Sequence, residues 1–109
     1  MSQRKFKEST YMRLPLRCRD DFSGVTLLTV STVDLENYRS RIGYRYETLV
    51  LPSGKEVSDE HLWVAVDGAR HKRKEDAMTY HHEMVMAIAR GDVVLKYIEG
   101  SGLRLEKLG

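Results

Sequence analysis

Hydrophobic and polar positions alternate with a period of two in several stretches of the chain, and with a helical period in one. Met12, Leu14, Leu16 and Cys18 fall on one side of an extended segment, and Arg13, Pro15, Arg17 and Arg19 fall on the other. That alternation predicts a strand with one buried face. Pro15 cannot donate to a ladder, which places the strand at a sheet edge, and its outward arginines discourage edge-to-edge pairing. Asp20-Asp21-Phe22-Ser23-Gly24 reads as a turn. Val25 to Val33, rich in Val, Thr and Leu, is the next predicted strand. Asp34 to Arg41 is read as a polar connection, with a short helix capped by Asp34 as the alternative. Ile42 to Leu51 carries the clearest alternation: Ile42, Tyr44, Tyr46, Thr48 and Val50 face one way, and Gly43, Arg45, Glu47, Leu49 and Leu51 the other. Pro52-Ser53-Gly54-Lys55 is then expected to turn. Leu62 to Val66 is expected as a short strand closed by Asp67-Gly68.

From about Lys74 to Arg90 the period changes. Ala77, Tyr80 or His81, Met84, Val85 and Ile88 recur at the three-and-four spacing of one apolar helical stripe. Gly91 stands where a C-terminal cap belongs, and Arg90 suits the negative end of the helix dipole. Val93 to Ile98 returns as a strand, and Gly100-Ser101-Gly102 leads into a short tail. Residues 1–10 show no periodicity and are expected to form a loose basic arm. The expected fold class is α+β. A mostly antiparallel sheet of four to six strands carries one amphipathic helix (about 74–90) on one face, in a single domain over 11–109. The tyrosines are expected on the opposite face.

Composition narrows the picture. A chain of 109 residues, 41% hydrophobic and 31% charged, suits one folded core. No run approaches the ~18–20 apolar residues of a membrane span, and the basic first residues are not followed by the apolar core of a secretion signal. Cys18 stands alone, so no internal disulfide is expected and a reducing compartment is the natural setting. The net charge is only +2, but residues 1–19 hold six Lys/Arg against one Glu, and residues 20–60 hold eight Asp/Glu against four Lys/Arg. Arg70, Lys72, Arg73 and Lys74 form a basic run. With Arg13, Arg17 and Arg19 they are the candidate polyanion-binding residues.

The residues that could carry chemistry point more to packing than to catalysis. His82-Glu83 is followed by Met86 where a zinc-binding H-E-x-x-H motif needs its second histidine. His81 and His82 project about 100° apart on a helix, so His81 is expected against the sheet and no metal site is assigned. Cys18 lies on the inward side of its strand and reads as a small core residue. No nucleophile elbow or phosphate-cradling loop is present. No catalytic residue and no cofactor is therefore assigned, and the protein is not expected to be an enzyme. Tyr44 and Tyr46 interleave with Arg39, Arg41 and Arg45, a composition that can stack bases, although their phase with Val50 suits cross-strand packing. Tyr44, Tyr46 and Trp63 are the candidate interface residues.

Tyr46-Glu47-Thr48-Leu49-Val50 and Glu75-Asp76-Ala77-Met78-Thr79-Tyr80-His81-His82-Glu83-Met84-Val85 resemble a pattern in small, functionally undefined proteins of tailed bacteriophages. Those proteins carry a W/Y-E-T-M-V-F strand, a Trp-containing segment, an Arg-Tyr pair and a helix of the form T-x-E-E-A-x-x-G-H-x-x-M-V. The resemblance spans residues 44–91. Trp63 matches the middle Trp and Arg70-His71 stands in for Arg-Tyr. Arg73 replaces the Thr that would cap the helix, and Tyr80 replaces the Gly before the histidine. The resemblance implies a phage or prophage origin and no particular chemistry. The expected function is binding or assembly without catalysis, in the virion or on a host protein. Homo-oligomers or larger assemblies are expected, in the host cytoplasm or virion, with no membrane. The alternative is a nucleic-acid-binding module using the basic arm and the 70–74 run. A weaker one is a small enzyme or nucleotide-sequestering pocket protein.

Overall fold

The structure, a computed structural model, describes residues 15–35, 43–53 and 65–108. The predicted basic arm, Arg13, the connection from Glu36 to Arg41 and Trp63 lie outside them. Four strands form an antiparallel meander: β1 (Leu16–Arg19), β2 (Val25–Asp34), β3 (Tyr46–Ser53) and β4 (Asp67–His71), paired in the order β1-β2-β3-β4. The helix α1 (Lys74–Arg90) crosses one face. A hairpin of β5 (Val93–Ile98) and β6 (Gly102–Lys107) completes the α+β fold. No described helix is long and apolar enough to cross a membrane.

Alternation fixes which residues meet the helix. Cys18, Thr26, Leu28, Val30, Thr32, Thr48 and Val50 are buried on one face of the sheet, while Arg17, Arg19 and Val25 on the other are exposed. Leu28, Val30, Val50, Ile88 and Leu95 are at most 2% exposed and form the centre of the core, with Met84, Val85, Leu103 and Leu105 packed around it. Cys18 joins them as a core residue. Burial pushes its thiol pKa up, and that disfavours the nucleophilic thiolate.

The helix has the expected bounds. Ala77, His81 and Ile88 are its buried residues. Arg73 is the N-cap, in extended conformation, and makes no side-chain capping bond. Gly91 ends the helix at φ 79°, a left-handed conformation that costs glycine little. Its N–H donates to Ile88 and the Asp92 N–H donates to Ala87, which closes the open carbonyls of the last turn.

Three expectations are corrected. Pro52 and Ser53 are not a turn but the end of β3, with Pro52 opposite Leu28. The carbonyl of Val50 faces β4, where it accepts from Val66 N–H. Pro52 shares that phase, so its missing donor points past Val50, the last β3 residue paired with β4. Asp67-Gly68 is likewise not a closing turn but the start of β4, and residues 62–64 of the strand expected before it lie outside the described residues. A Cβ on Gly68 would stand 2.7 Å from the Thr48 carbonyl oxygen, so the glycine permits a close approach of two strands. The tail after Gly102 is β6, whose Leu103 and Leu105 are half-buried against the core.

The hairpin is held to the meander at Asp20. Its Oδ1 accepts from the N–H groups of Phe22 (2.9 Å), Ser23 (2.5 Å) and Gly24 (2.7 Å). Its Oδ2 accepts from the hydroxyls of Ser23 (2.7 Å) and Thr26 (2.6 Å). The turn so formed brings Asp20 beside Leu95 in a parallel bridge. The Asp21 N–H donates to the Leu95 carbonyl, and the Tyr97 N–H donates to the Asp21 carboxylate.

Burial of Asp20 opposes its ionisation. The hydrogen bonds from Thr26, Ser23 and Phe22 outweigh that effect and hold its carboxyl well below the usual carboxylate range. A depressed folded-state pKa adds stability above the unfolded-state value, and that stability is lost as pH falls towards the folded one. Asp20→Asn should therefore cost about 2–3 kcal/mol in denaturant unfolding near neutral pH. The gap to wild type should shrink as the pH is lowered below about 4. A gap that stays constant into strong acid would show that the charge contributes nothing.

Candidate functional site

Besides the Asp20 turn, two groups of polar side chains meet in the described residues, one at the helix–sheet interface and one at the corner where β3 begins and β4 ends. At the interface, the Thr32 and Thr48 hydroxyls lie 2.6 Å apart, and Thr32 Oγ1 lies 2.7 Å from His81 Nδ1. All three residues are buried. Thr32 can accept from Thr48 and donate to Nδ1, or run in the reverse direction with the other imidazole tautomer. This chain of contacts ties α1 to β2 and β3. His81 is 3% exposed, as its expected place against the sheet requires. His82 is exposed on the other side. Among the described residues, no group of three or more His, Cys, Asp or Glu could hold a metal ion.

At the β3–β4 corner, Arg45 makes a two-pronged ion pair with Asp34, at 2.8 and 2.9 Å, and its guanidinium lies 5.4 Å from the centre of the Tyr46 ring. Arg70 lies 4.9 Å from the Tyr44 ring centre and 3.4 Å from the Glu47 carboxylate, which also accepts from the Tyr44 hydroxyl. Of the alternating Tyr and Arg residues that are described, Arg45 has its guanidinium held by Asp34, while Arg70 makes one longer contact to Glu47 and stays largely exposed.

Among the described residues, the candidate polyanion residues fall into two separate groups. Arg17 and Arg19 are exposed on β1, with β2 and β3 between them and Arg70 on β4. Lys72 and Arg73 join β4 to α1, Lys74 is the first helical residue, and all three are exposed. Arg73 stands 3.7 Å from Glu75.

The tyrosines also depart from expectation. Tyr46 pairs with His71, whose ring lies 5.5 Å from that of Tyr80 on the helix, so Tyr46 belongs to the helix-covered side. Tyr44 precedes β3 and packs with Arg70 and Glu47. The face turned away from α1 instead carries Val25, Leu27 and Val33 of β2 and Leu49 and Leu51 of β3, interspersed with Thr29, Ser31 and Glu47 and flanked by Arg17 and Arg19 of β1 and Arg70 of β4. Val25 is 42% exposed, and Leu49 and Leu51 are half-buried. Alternation in 42–51 already set Leu49 and Leu51 apart from Thr48 and Val50. The aromatic residues drew attention away from them.

No protein-family model matches the chain, and no curated protein or solved structure is significantly similar to it.

The buried polar contacts predict energetic coupling between helix and sheet. Thr32→Val and His81→Leu should each destabilise by about 1–3 kcal/mol, since each strands a buried polar partner. The double variant should lose about 1 kcal/mol less than the sum. Chemical denaturation of the four proteins measures this, and strict additivity would show that the 2.7 Å contact carries no stability.

Proposed function

We propose that the chain is a non-catalytic binding and assembly protein of tailed-bacteriophage type, and that it associates with copies of itself through the sheet face turned away from α1. The observation that carries this reading is the set of apolar side chains that this face presents among its polar ones. Val25, Val33, Leu49 and Leu51 sit on adjacent central strands, and the one described helix lies on the other side. An apolar surface of this kind is a usual mark of an interface, and two-fold pairing is the commonest way for identical surfaces to cover one another. A small domain also gains buried area from association that one core scarcely supplies.

The sequence likeness over residues 44–91 supports the phage assignment, and an interface is compatible with either a virion component or a factor engaging a host protein. The arginines bear on the nucleic-acid alternative. Arg45 and Arg70 are engaged with Asp34 and Glu47, and the remaining basic candidates lie at opposite edges of the sheet. A nucleic-acid surface instead gathers free cations along one track.

Light scattering over about a hundredfold range of concentration tests the proposal. The expected mass exceeds that of one chain, 12.6 kDa, and rises with concentration. Leu49→Lys combined with Leu51→Lys should return it to one chain, with the circular dichroism spectrum unchanged. A mass of one chain throughout the series would refute self-association.

A further inference from the structure

A groove of about 640 Å³ lies between α1 and the β5–β6 hairpin, apart from the open sheet face. Its floor is apolar and comes from three elements: Met84 and Ala87 of α1, Val93 of β5, and Leu105 and Leu108 at the end of β6. Its rim is acidic. Asp67, Glu83 and Asp92 line it, and Lys107 is the one cation among the lining residues. The lining is thus net negative on a protein whose overall charge is +2.

The walls are fixed by backbone and side-chain contacts. Asp92 accepts at its carbonyl from the Leu108 N–H, 2.9 Å away, which ties the end of the chain to the start of β5. Tyr80 and Asp67 both line the groove. Burial first, and then the Asp67 carboxylate, push the pKa of the Tyr80 hydroxyl up to about 12, so the phenol stays neutral. From Tyr80 to Ala87 the groove follows two turns of helix, about 10 Å. That length takes several side chains of an extended or helical segment. Met84 supplies a floor that adapts its shape to an apolar anchor.

We propose that this groove is a docking site for a basic, amphipathic peptide segment of a partner protein. Apolar anchors of the segment rest on Met84, Ala87 and Leu105, and Lys or Arg side chains reach the carboxylates of Glu83 and Asp92. The chemistry selects this occupant. An apolar floor excludes a purely polar ligand, and three rim carboxylates repel nucleic acid and anionic lipid surfaces while attracting a cationic chain.

The test uses the full chain and a fluorescein-labelled peptide of about ten residues alternating Lys and Leu, with a Glu–Leu twin as control. Anisotropy should show saturable binding of the Lys–Leu peptide that weakens as salt is raised, and none of the acidic twin. Glu83→Lys with Asp92→Lys should weaken binding at least about tenfold. Both side chains are exposed, so the fold should survive, and Leu49→Lys should leave binding unchanged. Amide NMR shifts on wild-type protein give a second reading: Glu83, Ala87, Val93 and Leu105 should move on addition of the Lys–Leu peptide. No binding, equal binding of the two peptides, or shifts confined to another surface would overturn the proposal. So would a mass above one chain that Glu83→Lys with Asp92→Lys abolishes, since a second copy would then be the occupant.

Discussion

The carboxylate of Asp20 is the constraint on which the arrangement of the two sheets rests. It is buried, charged and surrounded by five donors. An unpaired charge in such a place would be costly, and a paired one fixes every group that pairs with it. Here those groups are the backbone of the β1–β2 turn and the Thr26 hydroxyl on β2. The turn in turn presents the Asp21 N–H and carboxylate to β5. Asp20 therefore does more than close a turn: it sets the place of the hairpin relative to the meander. The groove beside α1 and the layer of Val93, Leu95, Leu103 and Leu105 under the helix both depend on that placement.

The two faces of the sheet then take different roles. One is covered by α1 and contains an apolar core crossed by a polar chain, Thr48–Thr32–His81. Such a chain adds little net energy when satisfied and is costly when broken. It specifies the helix's position more than it stabilises the fold. The other face has no covering helix among the described residues and carries Val25, Leu49 and Leu51. The arginines around it are paired with carboxylates or displaced to the sheet edges. The proposed self-association rests on those features, and the nucleic-acid alternative would need the arginines they engage or separate.

Much of this was legible in the sequence, because period and capping are local properties. The α1 bounds follow from the Ala77–Ile88 stripe and Gly91. The strand β1 follows from alternation, β2 from its Val, Thr and Leu content, and the burial of Cys18 and His81 from phase. What local reading missed depends on neighbours distant in the chain. Gly68 looks like a turn residue until β3 is placed 2.7 Å from where its Cβ would stand. Pro52 looks like a turn residue until β4 is seen to pair no further along β3 than Val50. Leu103 and Leu105 looked like a tail because their apolar partners lie on the helix and on β5. Asp20 was read as a turn former, and its five bonds within six residues are a tighter version of that role. Nothing in its own sequence neighbourhood announces that Leu95 waits beside it. The alternation of Tyr and Arg suggested a binding surface, but Asp34 and Glu47, brought alongside by the β2–β3–β4 register, claim the arginines first.

The most direct test of the claim that Asp20 holds the hairpin in place is native-state hydrogen exchange on wild type and Asp20→Asn, read amide by amide. Local opening shows which parts of the structure depend on a given contact. The amides of Asp21 and Tyr97 and the β5–β6 ladder should lose protection by at least about tenfold, while Val30 and Val50 in the β2–β3 centre keep most of theirs. Equal loss everywhere would mean that Asp20 supports only global stability. An unchanged hairpin would mean that the apolar layer alone holds β5 and β6 against the sheet.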